Sequence, residues 1–374
     1  MKAIQLTGSG DYASHYLIDD HEQWERDIRM HDGLSLERLA YGDVAKPVAG
    51  PGEVVVEVHG AGLNHLDVWA AQSAPSHQRS EPRIPGSDIA GIVESVGDNV
   101  MSVQPGSRVI LHAMIACGNC RMCLTGRDNA CLDPGSYGSS HDGGLAEYVV
   151  ARESTVIALP ASISMVDAAS LPVAYMTAWH MLVARAGVQP GDVVLVNAAG
   201  SGVGIAAIQI AKLFGAVVLT SAGSDAKLEK ARALGADETI NYSNDSLYQE
   251  AMRLTGDRGV DIVIDSLSGD LMEQSVEALA KGGRLVNCGC TLGNWARINM
   301  GRLMAREASV LGSVMGCKQE LIEVVREVAQ GRLKAVVDQT FPLSQTAEAV
   351  AYLADRKQFG KVVVVPDRHY VSKA

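Results

Sequence analysis

Four of the seven cysteines fall in one short stretch, Cys117-x2-Cys120-x2-Cys123-x7-Cys131. Four thiolates so close together offer Zn²⁺ the soft tetrahedral set it favours, and a closed four-cysteine site leaves no coordination position for a substrate. The expectation is a structural zinc held by Cys117, Cys120, Cys123 and Cys131, ordering its loop and doing no chemistry. A second stretch addresses a different ligand. Asn197-Ala198-Ala199-Gly200-Ser201-Gly202-Val203-Gly204 follows an apolar run and opens an amphipathic one. Small residues there let the backbone approach a pyrophosphate, whose charge is met by N–H groups at a helix start. Against the G-x-G-x-x-G spacing the best register is Ala199, Ser201 and Gly204, so only the last glycine is kept. Ala199, Gly200, Ser201, Gly202, Val203 and Gly204 are the expected phosphate side of a dinucleotide site.

The next strand bears on which dinucleotide. An NAD site usually ends that strand in Asp or Glu, which binds the ribose 2′-hydroxyl. Here it ends Leu219-Thr220-Ser221-Ala222, and Lys227 follows. Hydroxyls and a lysine welcome a 2′-phosphate that a carboxylate would repel. NADPH is expected, through Ser221 and Lys227, while Asp225 lies close enough to keep NADH open.

These residues need elements to position them. The first third reads as strands punctuated by turns: 52–62 (GEVVVEVHGAG), 88–97 (DIAGIVESVG) and 104–115 (QPGSRVILHAMI). Such strands point to an antiparallel, barrel-like domain. From about residue 161 short apolar strands (192–198, 216–222, 260–266, 283–289) alternate with amphipathic runs such as 204–215 and 225–235. That alternation predicts a doubly wound parallel sheet. After about residue 315 come a helix at 320–329, another near 345–354 and a strand at 361–366. This tail is too short to be a domain alone. The expected domains are therefore 1–160, 161–315 and a return to the first domain over 316–374. Polar segment 8–34 has no clear periodicity and reads as a surface excursion, or more sharply as a lid or subunit contact.

Composition bounds the rest. A chain of 374 residues, 47% hydrophobic and 20% charged, suits about two domains and is unlike a disordered one. A net charge of −11 without a long basic run excludes nucleic acid as a natural partner. The absence of a long apolar stretch or a signal-peptide pattern predicts a cytoplasmic protein that does not span a membrane, with reduced cysteines. Cys288, Cys290 and Cys317 read as small buried hydrophobes.

Together these motifs make the chain similar to the medium-chain dehydrogenase/reductase superfamily of zinc alcohol dehydrogenases and quinone reductases. The resemblance runs from about Leu34 to Pro366, through GPGEVVVEV, AGLNHLDVW, IPGSDIAGIVESVGDNV, the cysteine cluster, DGGLAEYVV, the Thr177-Ala178 stretch, the nucleotide loop and the closing GKVVVV. It implies a GroES-like β-barrel catalytic domain, a Rossmann domain, active-site chemistry in the cleft between them, a small-molecule substrate and a homodimer or homotetramer. Zinc-dependent members hold a catalytic zinc. Here its ligand positions fall on Asn64, on Ser87, and on Pro172 or Val173, which are poor zinc ligands or none. Asn64 and Ser87-Asp88 resemble zinc-free quinone and enoyl reductases instead, where the Asn lies near the nicotinamide beside the Thr-Ala pair. By the same resemblance Lys227 meets the 2′-phosphate and Tyr242 packs near the adenosine ribose. Asp265-Ser266 and Asn287-Cys288-Gly289, with Asn287 and Gly289 as binding residues, line the cofactor groove.

Without a Lewis acid, alcohol–ketone interconversion loses its main electrostatic help. Hydride transfer to an activated alkene or a quinone spreads charge over an enolate or hydroquinone, and hydrogen bonds to one oxygen can suffice. The expectation is an NADPH-dependent reductase of conjugated carbonyls or quinones, with Asn64, His65 and Thr177 lining the reacting centre and the last proton taken from solvent. Two alternatives stand beside it. One is an alcohol dehydrogenase with an improvised metal site of His65, Asp67 and Asp88. The other is a nicotinamide-binding protein that catalyses nothing.

Overall fold

The computed structural model describes residues 1–7, 34–72 and 82–371; the excursion at 8–33 lies outside them. The chain forms two compact units, Met1–Val173 with Val337–Ala374, and Ala174–Val336. Among the described residues no helix is long and apolar enough to cross a membrane.

The first unit is built on a mainly antiparallel sheet. In spatial order its strands are Val337–Pro342, Lys361–Val365, Glu53–Gly62, Asp88–Val96, Arg108–Leu111 and Val156–Ala158, with Tyr148–Arg152 also paired to Glu53–Gly62. The central strand is β-branched at alternate positions, and Val54, Val56 and Val58 are fully buried. Gly91 sits where a Cβ would lie 2.1 Å from the Glu57 carbonyl oxygen, so the two central strands approach there only because a side chain is missing. The expected strand over 104–115 is two pieces. After Leu111 the chain leaves the sheet, His112 N–H donating to Thr155 O, and a short ribbon of Met114–Ile115 and Gly135–Ser136 frames the cysteine loop.

The second unit is a six-stranded, all-parallel sheet in the order Glu238–Asn241, Val217–Ala222, Val193–Val196, Val260–Asp265, Leu279–Asn287, Ser309–Gly312. Numbered along the chain this is 3-2-1-4-5-6, the dinucleotide-binding order, with its topological reversal between the first and fourth strands. The four inner strands are the runs expected from sequence. The two edge strands are less apolar, because an edge position buries less of each residue.

Both expected boundaries move. The first lies at 173/174, because helix Met165–Ala168 packs on the first unit's sheet and Val173 N–H donates to Asp88 Oδ1 at 2.7 Å. The second lies at 336/337. Helix Lys318–Ala329 buries Leu321 and Val324 against the second unit's helix Ala174–Trp179, and Tyr175 donates its hydroxyl to Lys334 O at 2.6 Å. The return to the first unit is therefore only strand, helix, strand. Val337–Pro342 runs parallel to Lys361–Val365 across helix Thr346–Ala354, and Lys361–Val365 then pairs antiparallel with Glu53–Gly62.

Candidate active site

In the second unit, the loop after strand Val193–Val196 turns through Ala198, held in the left-handed region at φ 59°, an uncommon conformation for a residue with a Cβ. Helix Gly202–Leu213 starts at once, and the Ser201 hydroxyl caps it by accepting from Gly204 N–H at 2.9 Å. A Cβ on Gly204 would lie 2.2 Å from Ala198 O. The one glycine kept from the fingerprint is thus the one that close strand–helix packing demands. Ala199, Gly200, Gly202 and Val203 share this turn, which leaves N–H groups at a helix start for a phosphate and so fits a dinucleotide.

Beneath the loop, a polar network crosses the strand ends. Fully buried Asp265 accepts from Asn197 Nδ2 at 3.0 Å, Ser268 N–H at 2.9 Å and Asn287 Nδ2 at 2.7 Å. Asn197 Nδ2 also donates to Ser275, and Asn197 Oδ1 accepts from the Ser221 hydroxyl at 2.9 Å. Four strand ends are therefore tied together. Ser221 and Asp265 are both fully buried, and each is partnered within this network through Asn197, as burial requires. Asn287 Nδ2 makes a second bond to Gly289 O at 2.8 Å. At the tip of strand Val217–Ala222, Tyr242 leans over Gly223, where an added Cβ would come within 3.1 Å of the ring. Asp225 opens helix Asp225–Ala233 and accepts from Asn241 Nδ2 at 2.7 Å, and Lys227 stands half-buried on the first turn. Burial pushes the Cys288 thiol up to about 12 and the Cys290 thiol to about 11, which leaves both protonated and inert at neutral pH. Thr177 is buried in helix Ala174–Trp179, its hydroxyl 4.0 Å from Met315 Sδ.

In the first unit, Asn64 and His65 join strand Glu53–Gly62 to helix His65–Gln72. An ion pair that the sequence reading missed governs this corner. Lys361, only 4% exposed, donates to Asp88 Oδ2 at 2.8 Å, Asn64 Oδ1 at 2.7 Å and Leu63 O at 2.6 Å. Asn64 Nδ2 donates to the same Asp88 oxygen at 3.1 Å, while Asp88 Oδ1 takes the Val173 N–H. An ammonium on one side and a carboxylate on the other orient the Asn64 amide without ambiguity. The missed signal was a lysine opening the otherwise apolar strand KVVVV.

At the positions where the resemblance puts catalytic zinc ligands, the polar groups have other partners. Asn64 serves Lys361 and Asp88, the Ser87 hydroxyl donates to Tyr137 O at 2.9 Å, and Val173 N–H serves Asp88. His65, Asp67 and Asp88 do not bring ligand atoms together, and among the described residues only two other clusters do. Asp67 instead accepts backbone N–H groups from Asn64 (2.8 Å) and Gly86 (3.2 Å), fastening the Asn64 loop to the Ser87 loop. Burial raises its carboxyl to about 6. Burial also lowers His65 to about 4, helped by the charges of Arg356 and Lys361, so His65 is neutral at pH 7.

The four cysteine sulfurs all lie within 4.8 Å of one another. Cys120–Cys123, Cys117–Cys123 and Cys120–Cys131 are 3.5, 3.9 and 4.0 Å apart. Zn–S bonds of about 2.3 Å give a tetrahedral edge of about 3.8 Å, so the set fits the ion without rearrangement. Backbone N–H groups of Cys117 and Asp133 point at Cys131 Sγ, and such donors favour thiolate.

Comparison with known proteins agrees with this architecture. The family model for the alcohol dehydrogenase GroES-like domain matches residues 50–161, and that for the zinc-binding dehydrogenase matches residues 202–330. Quinone oxidoreductase-like protein 2 of Bos taurus is 31% identical over 336 residues, 87% of this chain and 88% of the relative. The quinone oxidoreductase of Homo sapiens is 29% identical over 313 residues, 82% of this chain and 87% of the relative. A crystal structure of an NAD-dependent alcohol dehydrogenase is 39% identical with TM-score 0.87, covering 98% of this chain and 99% of that one. The chain belongs to the medium-chain dehydrogenase/reductase superfamily, with a GroES-like and a Rossmann domain, and is an NAD(P)H-dependent oxidoreductase. The expectation of a binding protein without catalysis falls with that result.

Two measurements check the first unit's corner. Removing one member of a buried pair leaves an unpaired charge, at about 3–5 kcal/mol. Lys361→Met is expected to lose about that much in urea unfolding, and Lys361→Met/Asp88→Asn to recover part of it; equal losses would show no charge coupling. The second concerns pH. Unfolded His65 takes up its proton near pH 6.5 and folded His65 only near 4, so between these values the unfolded state binds more protons and stability falls as pH falls. Asp67, with its raised value, acts in the opposite direction and is common to both proteins compared. Wild type is expected to gain about 3 kcal/mol on His65→Gln between pH 4 and pH 6.5, and a constant difference would overturn this.

Proposed function

We propose that the chain is an NADPH-dependent reductase of quinones or conjugated carbonyl compounds (enones, enals or enoyl thioesters), with one structural zinc and no catalytic zinc. The observation that carries this reading is the Asn64 amide. Lys361 holds its oxygen and Asp88 takes one N–H, so the second N–H is what it has to offer. An ammonium on the amide oxygen polarises the group and strengthens that N–H as a donor. A fixed, polarised donor suits the oxygen of an enolate or hydroquinone, where diffuse charge needs orientation more than a Lewis acid. With Asp88 and the Asn64 oxygen both committed to that ammonium, neither is left free to hold a dication there. Bound NADPH supplies the hydride.

The proposed catalytic residues are Asn64, neutral His65 and Thr177. No acid is identified, so the last proton is assigned to solvent. In the second unit, Ala199 to Gly204 receive the pyrophosphate, Asn287 and Gly289 line the groove, and Lys227 and Tyr242 receive the 2′-phosphate end. NADPH is favoured because no carboxylate stands between Thr220 and Ser224 and because Asp225 is engaged by Asn241. Reduced cysteines suit a cytoplasmic location, and the superfamily's habit suits a homodimer or homotetramer. A second reading, an alcohol dehydrogenase using NADH, draws on the 39% identical NAD-dependent relative.

Steady-state kinetics separate the two readings. Wild type is expected to oxidise NADPH with a simple quinone or enone. Asn64→Ala should lose about 100-fold in kcat, the scale of one lost oxyanion donor, with the KM for NADPH unchanged. Lys227→Ala should raise the KM for NADPH about tenfold, the worth of one charged contact, and leave NADH alone. Turnover confined to alcohols and NAD⁺ would transfer the assignment to the second reading. Metal analysis tests the zinc. Protein purified without added metal is expected to carry one zinc per chain, lost in Cys120→Ser/Cys131→Ser. A second zinc that survives this change and disappears on substitution of His65 or Asp67 would overturn the zinc-free active site.

A further inference from the structure

Among the described residues, one group of potential metal ligands besides the four cysteines converges, in the first unit. Glu57 and His59 lie two apart on strand Glu53–Gly62, and side chains at that spacing share a face. The chain's last described turn, Asp367–His369, lays the His369 imidazole on that of His59, with ring centroids 4.0 Å apart and planes 17° from parallel. His369 Nε2 is 3.0 Å from Glu57 Oε1, and one donor atom from each of the three residues lies within 4.8 Å of the others. All three are half-buried, and because stacked imidazoles aim their lone pairs in near-parallel planes, one ring must turn out of the stack for both to hold the same ion.

We propose that Glu57, His59 and His369 form a second metal site, one that takes a divalent transition-metal ion of the zinc, cobalt, nickel and copper class. Two imidazoles and a carboxylate match the ligands of such ions, whereas calcium and magnesium prefer all-oxygen sets. Three protein ligands leave a coordination position for water.

A guanidinium now competes for the same place. Arg368 Nη2 is 3.1 Å from Glu57 Oε1, and Arg368 Nε is 3.2 Å from His369 Nε2. The arginine also donates to Tyr148 Oη at 2.9 Å and Glu147 O at 3.4 Å, and its guanidinium lies 4.7 Å from the centre of the Tyr148 ring. Those contacts remain when it releases Glu57 and His369, so an entering ion need not strand a buried charge. The ion would staple the turn after the last strand onto the central strand of the sheet. It lies in a different place from the cysteine loop and needs none of the residues proposed for catalysis.

The test is a Co²⁺ titration of the full chain with its cysteine-bound metal in place, followed by visible absorption and thermal unfolding. Thiolate-to-cobalt charge transfer reports separately on any exchange at the cysteines. Wild type is expected to take up one further ion per chain without that band, and its Tm should rise with Co²⁺ concentration, as linkage requires. His59→Ala/His369→Ala should lose both effects and keep its NAD(P)H turnover. Arg368→Gln should bind the ion about tenfold more tightly, the scale of an outer-sphere change, and this variant keeps every ligand should the double histidine variant fail to fold. No further ion in wild type, an ion that survives the double variant, or unchanged or weaker binding in Arg368→Gln would each overturn the site and leave a structural cluster that holds the terminal turn.

Discussion

Lys361 is an ammonium with almost no access to water, and moving such a charge out of water costs several kcal/mol before any partner is counted. It is tolerated because three acceptors converge on it, one of them Asp88, 273 residues away in the chain. Much of the first unit answers to this constraint. The last strand must return to the centre of the sheet to deliver the ammonium, the Asn64 amide must turn its oxygen toward it, and Val173 N–H must close the other Asp88 oxygen. The ammonium and the Asp88 carboxylate neutralise each other and hold the Asn64 amide between them. The chemistry proposed for Asn64 is a by-product of the need to neutralise Asp88.

The second unit solves a comparable problem without net charge compensation. Asp265 is fully buried at the sheet's topological reversal, and its carboxylate is satisfied by two asparagine amides and a backbone N–H. Three donors on its two oxygens repay the loss of water on burial. By binding Asn197 and Asn287, Asp265 holds the ends of the strands on either side of its own. The loop above is then free to present backbone groups, and Gly204 allows its helix to begin close against the strand.

The fold was legible in sequence wherever a pattern was local. The inner strands of the parallel sheet are apolar runs bounded by glycine, and the helix after the nucleotide loop announces itself through a capping serine and small residues. The cysteine loop was legible for the same reason: its ligands lie within fifteen positions, and ligand type with spacing nearly specifies a tetrahedron. Domain boundaries were less legible. Helix Lys318–Ala329 is amphipathic whichever unit it packs on, and periodicity records an apolar face without recording its partner. Ser221 was read as a 2′-phosphate contact and Asp265 as a groove residue because their places at strand ends are visible, whereas the hydrogen-bond partners of a hydroxyl or carboxylate are not.

Sequence alone determined the two-domain α/β class, the dinucleotide loop and the four-cysteine set, since each rests on residue types at short separations. Tertiary structure decided the pairing of Lys361 with Asp88 and Asn64, the buried network that claims Ser221 and Asp265, and the meeting of His59 with His369. Those contacts join residues tens to hundreds of positions apart, and the energy that selects them comes from shared burial. Desolvation compels polar groups to find partners wherever the folded chain brings them, and no local pattern carries that information.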